Sequence, residues 1–185
     1  MKHWKLVITQ GLVAGGLASL LSTTVLALLG RREAGSALGP INAVSHWYWG
    51  DEAFKRQEAN LSHTAVGYLT HHSAATFWAT AYAALASNRP ASRTTSGVFL
   101  GAAATSGVAC LVDFKLTPHR FTPGYEHRLS DSALLAVHTA LAVGLAAGAL
   151  ALRDAYRQAE KASLVQDEDD TPAPRIVRRV RAGRA

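Results

Sequence analysis

The spacing of charged and apolar positions divides this chain into segments. Four stretches, 6–30, 59–88, 94–112 and 132–152, contain no Asp, Glu, Lys or Arg, and the charges crowd into the segments between and after them. Crossing the hydrocarbon core of a bilayer takes roughly 20 apolar residues, at about 1.5 Å of rise per residue. A Lys, Arg or Asp at the centre of such a helix costs about 2.5–3.5 kcal/mol on insertion scales, so charge-free runs of this length are what spanning segments need. The pattern predicts four helices, over 6–30, 62–86, 94–114 and 131–152. Together they make an all-α, up-down, four-helix integral membrane bundle spanning residues 1–152.

Local signals refine the picture. In the first helix Gly11, Gly15 and Ser19 recur every four residues, and in the fourth Gly144 and Gly148 do the same. Such stripes of small side chains let neighbouring backbones approach closely in a membrane. Gly39-Pro40 punctuates the long first loop. The run Trp47-Tyr48-Trp49 that follows suits an anchor at the membrane–water boundary or, alternatively, a lid over a site. Asp51 is placed to N-cap a short interfacial helix through Glu58. Ser62, Thr94 and Ser130 or Asp131 stand where the second, third and fourth helices begin. The second helix is the most polar, with His63, Gly67, His71, Ala75, Trp78 and Tyr82 on one face and His72 on another.

Composition adds less. A mean hydropathy of +0.07 is pulled down by the loops and by a charged tail, residues 153–185. That tail is too acidic, then too basic, to bury a core, and its expected state is largely disordered and cytosolic. Arg175, Arg178, Arg179, Arg181 and Arg184 supply much of the net charge of +6. In this setting they point to anionic lipid head groups, with no nucleic acid expected. The apolar run after Met1-Lys2-His3-Trp4-Lys5 is longer than a signal sequence needs and reads as the first anchor. The Lys and Arg balance favours both termini on the cytoplasmic side, 12 against 7, although counting the tail only through Lys161 gives a tie. Cys110 is the single cysteine, so no internal disulfide is possible. The chain contains no Walker loop, dinucleotide fingerprint, nucleophile elbow or zinc-protease motif. The clustered histidine boxes of diiron desaturases are also missing.

Topology brings the polar residues together. In an up-down bundle the first and third loops emerge at one end, which collects His46, His63, Asp113, His119 and His127 there. His71 lies about 12 Å below His63, and His138 about 10.5 Å below Asp131, taking 1.5 Å per residue. The two histidines therefore reach similar depths. Three site chemistries follow. His71 or His72 with His138 could ligate a haem between helices. A set drawn from His46, His63, His71, Asp113, His119 and His127 could hold a non-haem metal. The same groups could pass protons or hold a polar ligand such as a quinone. The plain alternative is that they hydrogen-bond one another and tie the helices together.

The stretches Ser45–Asp51, Tyr68–His72 with Phe77–Ala79, and Leu116–Pro118 through Ser130 resemble a family of small, uncharacterised bacterial four-helix inner-membrane proteins. The resemblance covers about residues 40–135. It implies a multi-pass inner-membrane protein and no particular activity. The leading functional expectation is a structural or accessory subunit of a membrane assembly, partnered by another membrane protein or by further copies of itself. A haem- or metal-binding redox protein is the alternative, and a small proton-coupled transporter acting as an oligomer is the third reading.

Overall fold

The computed structural model describes residues 2–87 and 89–169. Among them there are six α-helices and no strand: α1 (Lys2–Glu33), α2 (Gly39–Val44), α3 (His46–Trp49), α4 (Val66–Ala86), α5 (Thr95–Leu111) and α6 (Asp131–Asp169). Three segments, Trp4–Glu33, Thr95–Leu116 and Asp131–Asp154, are long and apolar enough to cross a membrane. α4 is long enough too, but its His, Ser, Thr and Tyr residues leave it too polar to qualify on the same terms. The helix ends extend past the charge-free runs, α1 to Glu33 and α6 to Asp169. The Arg cluster at 175–184 lies outside the described residues.

Residues 1–152 form one compact unit. Within it α1 is flanked by α4 and α6, and small residues set both seams. Gly11 lies on Thr80, and a Cβ added to Gly15 would fall 2.6 Å from the Thr76 Cα. On the other side Gly144 lies against Ala18 and Gly148 against Ala14. The interior is correspondingly rich in alanine, with Ala14, Ala18, Ala75, Ala79, Ala102 and Ala146 in one buried cluster with Leu141 and Leu145. Large apolar residues point outward instead. Leu12, Leu20 and Leu28 recur every eight residues along α1 and are 55–65% exposed.

α5 is held to α6 by the Ser106 hydroxyl, which donates to the His138 carbonyl at 2.6 Å. It meets α4 where the Tyr82 ring lies over Gly101 and the Tyr82 hydroxyl donates to Val98 O at 3.1 Å. Caps start the helices. Thr94 Oγ1 accepts from Gly97 N at 3.0 Å and Ser130 Oγ from Ala133 N at 3.3 Å. The Glu33 carboxylate accepts from both the Ser130 amide and its hydroxyl, tying the end of α1 to the start of α6. Ser62 does not cap α4. Asn60 instead caps a π-helical turn over Leu61–Ala65, accepting from His63 N at 3.2 Å, and that turn leads into the helix.

The first loop differs from the expected surface helix over 51–58. Its helices lie earlier in the chain, and all six residues of α2 are buried. Residues 50–55 make a 3-10 turn, after which Arg56 is extended. Asn42, which is fully buried, anchors the end of this loop. Its amide donates to the carbonyls of Arg56 (3.2 Å) and Glu58 (2.9 Å) and accepts from the Thr64 hydroxyl (2.7 Å). These bonds hold residues 56–58 against the buried Asn42 beyond the 3-10 turn. Gly67 makes room for this cap, because the Ile41 carbonyl sits where any Cβ would stand. A second buried cluster, Leu26, Ile41, Val44, Tyr125, Leu129 and Val137, joins the cap to the bundle.

Candidate functional site

Between the Tyr82 contact and the folded first loop, α4, α6 and the turn that follows α5 line a cavity of about 740 Å³. That lies within the range of roughly 300–1,000 Å³ typical of small-molecule sites. Val66, Leu69, Ala74, Ala75 and Phe77 of α4 and Val137 and Leu141 of α6 give it apolar walls. Trp47, Tyr48 and Trp49 line it from the first loop, and Phe121 and Tyr125 from the third. Both tryptophans are tied to backbone, with the indole of Trp47 donating to Thr122 O at 2.8 Å and that of Trp49 to Ser62 O at 3.0 Å.

Three titratable side chains from three helices converge in this cavity: His71, Asp113 and His138. Asp113 lies in a π-helical turn, Val112–Leu116, that ends α5. Wider turns of this kind re-aim a side chain and often accompany functional sites. His138 is buried, and its Nδ1 donates to Leu134 O at 3.1 Å. Its Nε2 lies 3.7 Å from Asp113 Oδ2. A closed charge-assisted bond spans about 2.7–2.9 Å, so this pair stands apart.

His71 has a different partner. The Ser22 hydroxyl is 2.7 Å from Ala18 O and 2.8 Å from His71 Nε2. A helical serine commonly gives its one proton back to the i−4 carbonyl, which leaves Ser22 Oγ to accept from His71 Nε2–H. A neutral His71 then carries its lone pair on Nδ1, which has no hydrogen bond among the described contacts. Tyr125 completes the group. Its ring meets those of His71 and Phe114 edge-on, at 6.4 and 6.3 Å between centroids. Burial, and after it the Asp113 carboxylate, holds the Tyr125 phenol well above its ordinary value, so at neutral pH it is a donor.

The remaining candidates lie elsewhere. His72 stacks on Tyr68 at 5.8 Å, and the seam's register places it opposite Ser19, away from the cavity. His46 packs against Phe54 at 5.0 Å, Phe54 against His127 at 4.6 Å, and His127 against His119 at 5.4 Å, forming a row of rings. His63 lies beside Trp49. Among the described residues no group of three or more His, Cys, Asp and Glu side chains is placed to hold a metal ion. The six residues considered for a non-haem metal are thus divided between the cavity, the ring row and the edge of the first loop. Haem ligation would use Nε2 atoms that face Ser22 and Asp113 here. Tyr125 and Ser22 carry no sequence signal of their own. One is a loop tyrosine and the other a serine among many.

Taken together, these features define a class: an all-helical chain with three helices able to span a membrane and a ligand-sized cavity whose polar groups cluster in one region. No protein-family model, curated protein or solved structure matches the chain.

Proposed function

We propose that this is a four-helix protein of the bacterial inner membrane, with both termini in the cytoplasm, that binds a small and mostly apolar molecule in its cavity. The observation that carries the binding reading is the cavity itself, about 740 Å³ with apolar walls and His71, Asp113 and His138 converging in it. The membrane reading draws on an inverted distribution of side chains. Glycine and alanine set the close helix contacts of the interior and many leucines lie on the outside, as expected where lipid replaces water and close contact replaces the hydrophobic effect. α4 fits as the fourth span despite its polarity. Its Leu69, Phe77 and Leu85 recur every eight residues and are 59–64% exposed, so its outward stripe is apolar. Leu69 and Phe77 also line the cavity, which therefore opens on that stripe and toward the bilayer.

The accessory-subunit reading drew on the small-residue stripes. Those stripes are used within the chain, so the cavity offers the firmer ground. The test is native mass spectrometry on full-length protein purified in mild detergent. A small molecule retained at near-equal stoichiometry, and displaced in Val137→Phe, is the expected result. Protein that carries nothing and shows no saturable tryptophan response to apolar ligands would sink the reading. A Soret band in the same sample, removed by His138→Ala, would replace it with the haem reading.

A further inference from the structure

We infer that the occupant of this cavity is a lipophilic organic cation, with the Asp113 carboxylate as its counter-charge and aromatic rings as its walls. The inference rests on the cavity-binding reading above and narrows it to one ligand chemistry. Among the described residues Asp113 is the one acidic residue lining the cavity, and no Lys or Arg lines it. The ion-pair partner of that carboxylate among the described residues is His138, at 3.7 Å and with its other ring nitrogen committed to Leu134 O. The carboxylate, near the end of the span Thr95–Leu116, is therefore held without a closed ion pair. Ionisable groups in such places pair with a charge or serve a ligand.

The sign of the charge selects the ligand. Phosphate head groups and fatty carboxylates would meet Asp113 with no cation in the walls to offset the repulsion. A neutral amphiphile would leave it unpaired. A cation satisfies it, and the walls favour one further. Trp47, Tyr48, Trp49, Phe77, Trp78 and Phe121 all line the cavity. Aromatic faces attract cations through their quadrupoles, most strongly where water is excluded, and clusters of them are the usual receptors for quaternary ammonium groups. A volume of about 740 Å³ accommodates a cation bearing several rings or alkyl arms. Tyr48, Trp49 and Phe77 are exposed as well as lining, which gives such a ligand a way in from the interface.

The test compares two probes of similar shape on the full chain in mild detergent: tetraphenylphosphonium and the uncharged triphenylphosphine oxide. Equilibrium dialysis is expected to show saturable binding of the cation, with the neutral probe weaker by about tenfold or more. Asp113→Asn should remove that preference, and Asp113→Glu should keep it. The two-probe comparison on the unaltered chain needs no variant, so an Asp113→Asn protein that fails to fold does not shield the inference. Equal binding of both probes would overturn the cation assignment and leave a cavity for neutral amphiphiles. Saturable binding of neither probe, with tryptophan fluorescence unmoved, would overturn the cavity reading as well.

Discussion

α4 has two different sides, and the contrast between them explains where this molecule is closed and where it is open. Against α1 it presents Thr76 and Thr80 to Gly15 and Gly11, and the backbones meet. Polar groups on that seam stay local, as where Thr80 Oγ1 donates to Thr76 O at 2.8 Å. Toward α5 and α6 the contact is made at one end by the Tyr82 ring over Gly101, and beyond it lies the cavity. There the polar groups come from different helices and are left facing one another. In a bilayer little free energy is gained by driving apolar residues inward, so side-chain size decides where helices touch. Glycine opposite threonine closes a seam. Tryptophan, phenylalanine and histidine hold one apart.

The strongest way to break this comparison is to enlarge the closed seam. Gly15→Leu would push a side chain into the Thr76 backbone, which cannot turn aside. Overpacking usually costs about 1–3 kcal/mol, and with backbone as the obstacle the upper end or beyond is expected. The adjacent Gly16 has nothing within 4 Å of its ideal Cβ, so Gly16→Leu is the matched control and should leave the unfolding midpoint nearly unchanged. Detergent-solubilised thermal unfolding reads both. Equal tolerance of the two substitutions would mean that the α1–α4 seam is not what closes the bundle.

A second, smaller effect is expected at the roof of the open side. Asn42→Ala would strand the carbonyls of Arg56 and Glu58 and the hydroxyl of Thr64. A lost hydrogen bond typically costs about 0.5–1.5 kcal/mol, and with Arg56 and Glu58 exposed to water a loss of about 1–2 kcal/mol is expected here. Limited proteolysis at residues 50–60 should accelerate with it. An unchanged cleavage rate would show that the loop is held by its apolar contacts alone.

The two sides were not equally legible in the sequence. Charge-free runs locate α1, α4, α5 and α6, and for the three that are apolar enough to cross a membrane the omission follows from the cost of a charge in lipid. Glycine spacing marks the closed seam, but it does not reveal that the partners are helices of the same chain. Gly11 and Gly15 meet α4 while Gly144 and Gly148 meet α1, a choice set by helix rotation, which spacing alone leaves open. On the open side, depth arithmetic is enough to bring His71 and His138 level, since rise per residue is nearly constant. It says nothing about which way a side chain points, and so His46, His63, His119 and His127 share an end of the molecule without sharing a site. The path of the first loop was hidden for another reason. A buried asparagine anchors its far end, and Asn42 has no periodic partner in sequence.

The smallest predicted effect tests the boundary between the two sides. Ser22 belongs to α1, yet its hydroxyl reaches His71 at the edge of the cavity. Ser22→Ala removes one hydrogen bond, and in membrane bundles such contacts average about 0.6 kcal/mol, so stability should fall by less than about 1 kcal/mol. The consequence for His71 should be larger than that figure suggests. With Ser22 present, the Nε2–H tautomer is held and Nδ1 keeps its lone pair for the cavity. Without it the two tautomers of a neutral imidazole compete, and the nitrogen chemical shifts of ¹⁵N-labelled histidine should move toward an average. A stability loss well above 1 kcal/mol with an unchanged tautomer would place His71 in the closed seam, as a strut between helices. A small loss with a shifted tautomer would place it in the cavity, as a group kept oriented toward what binds there.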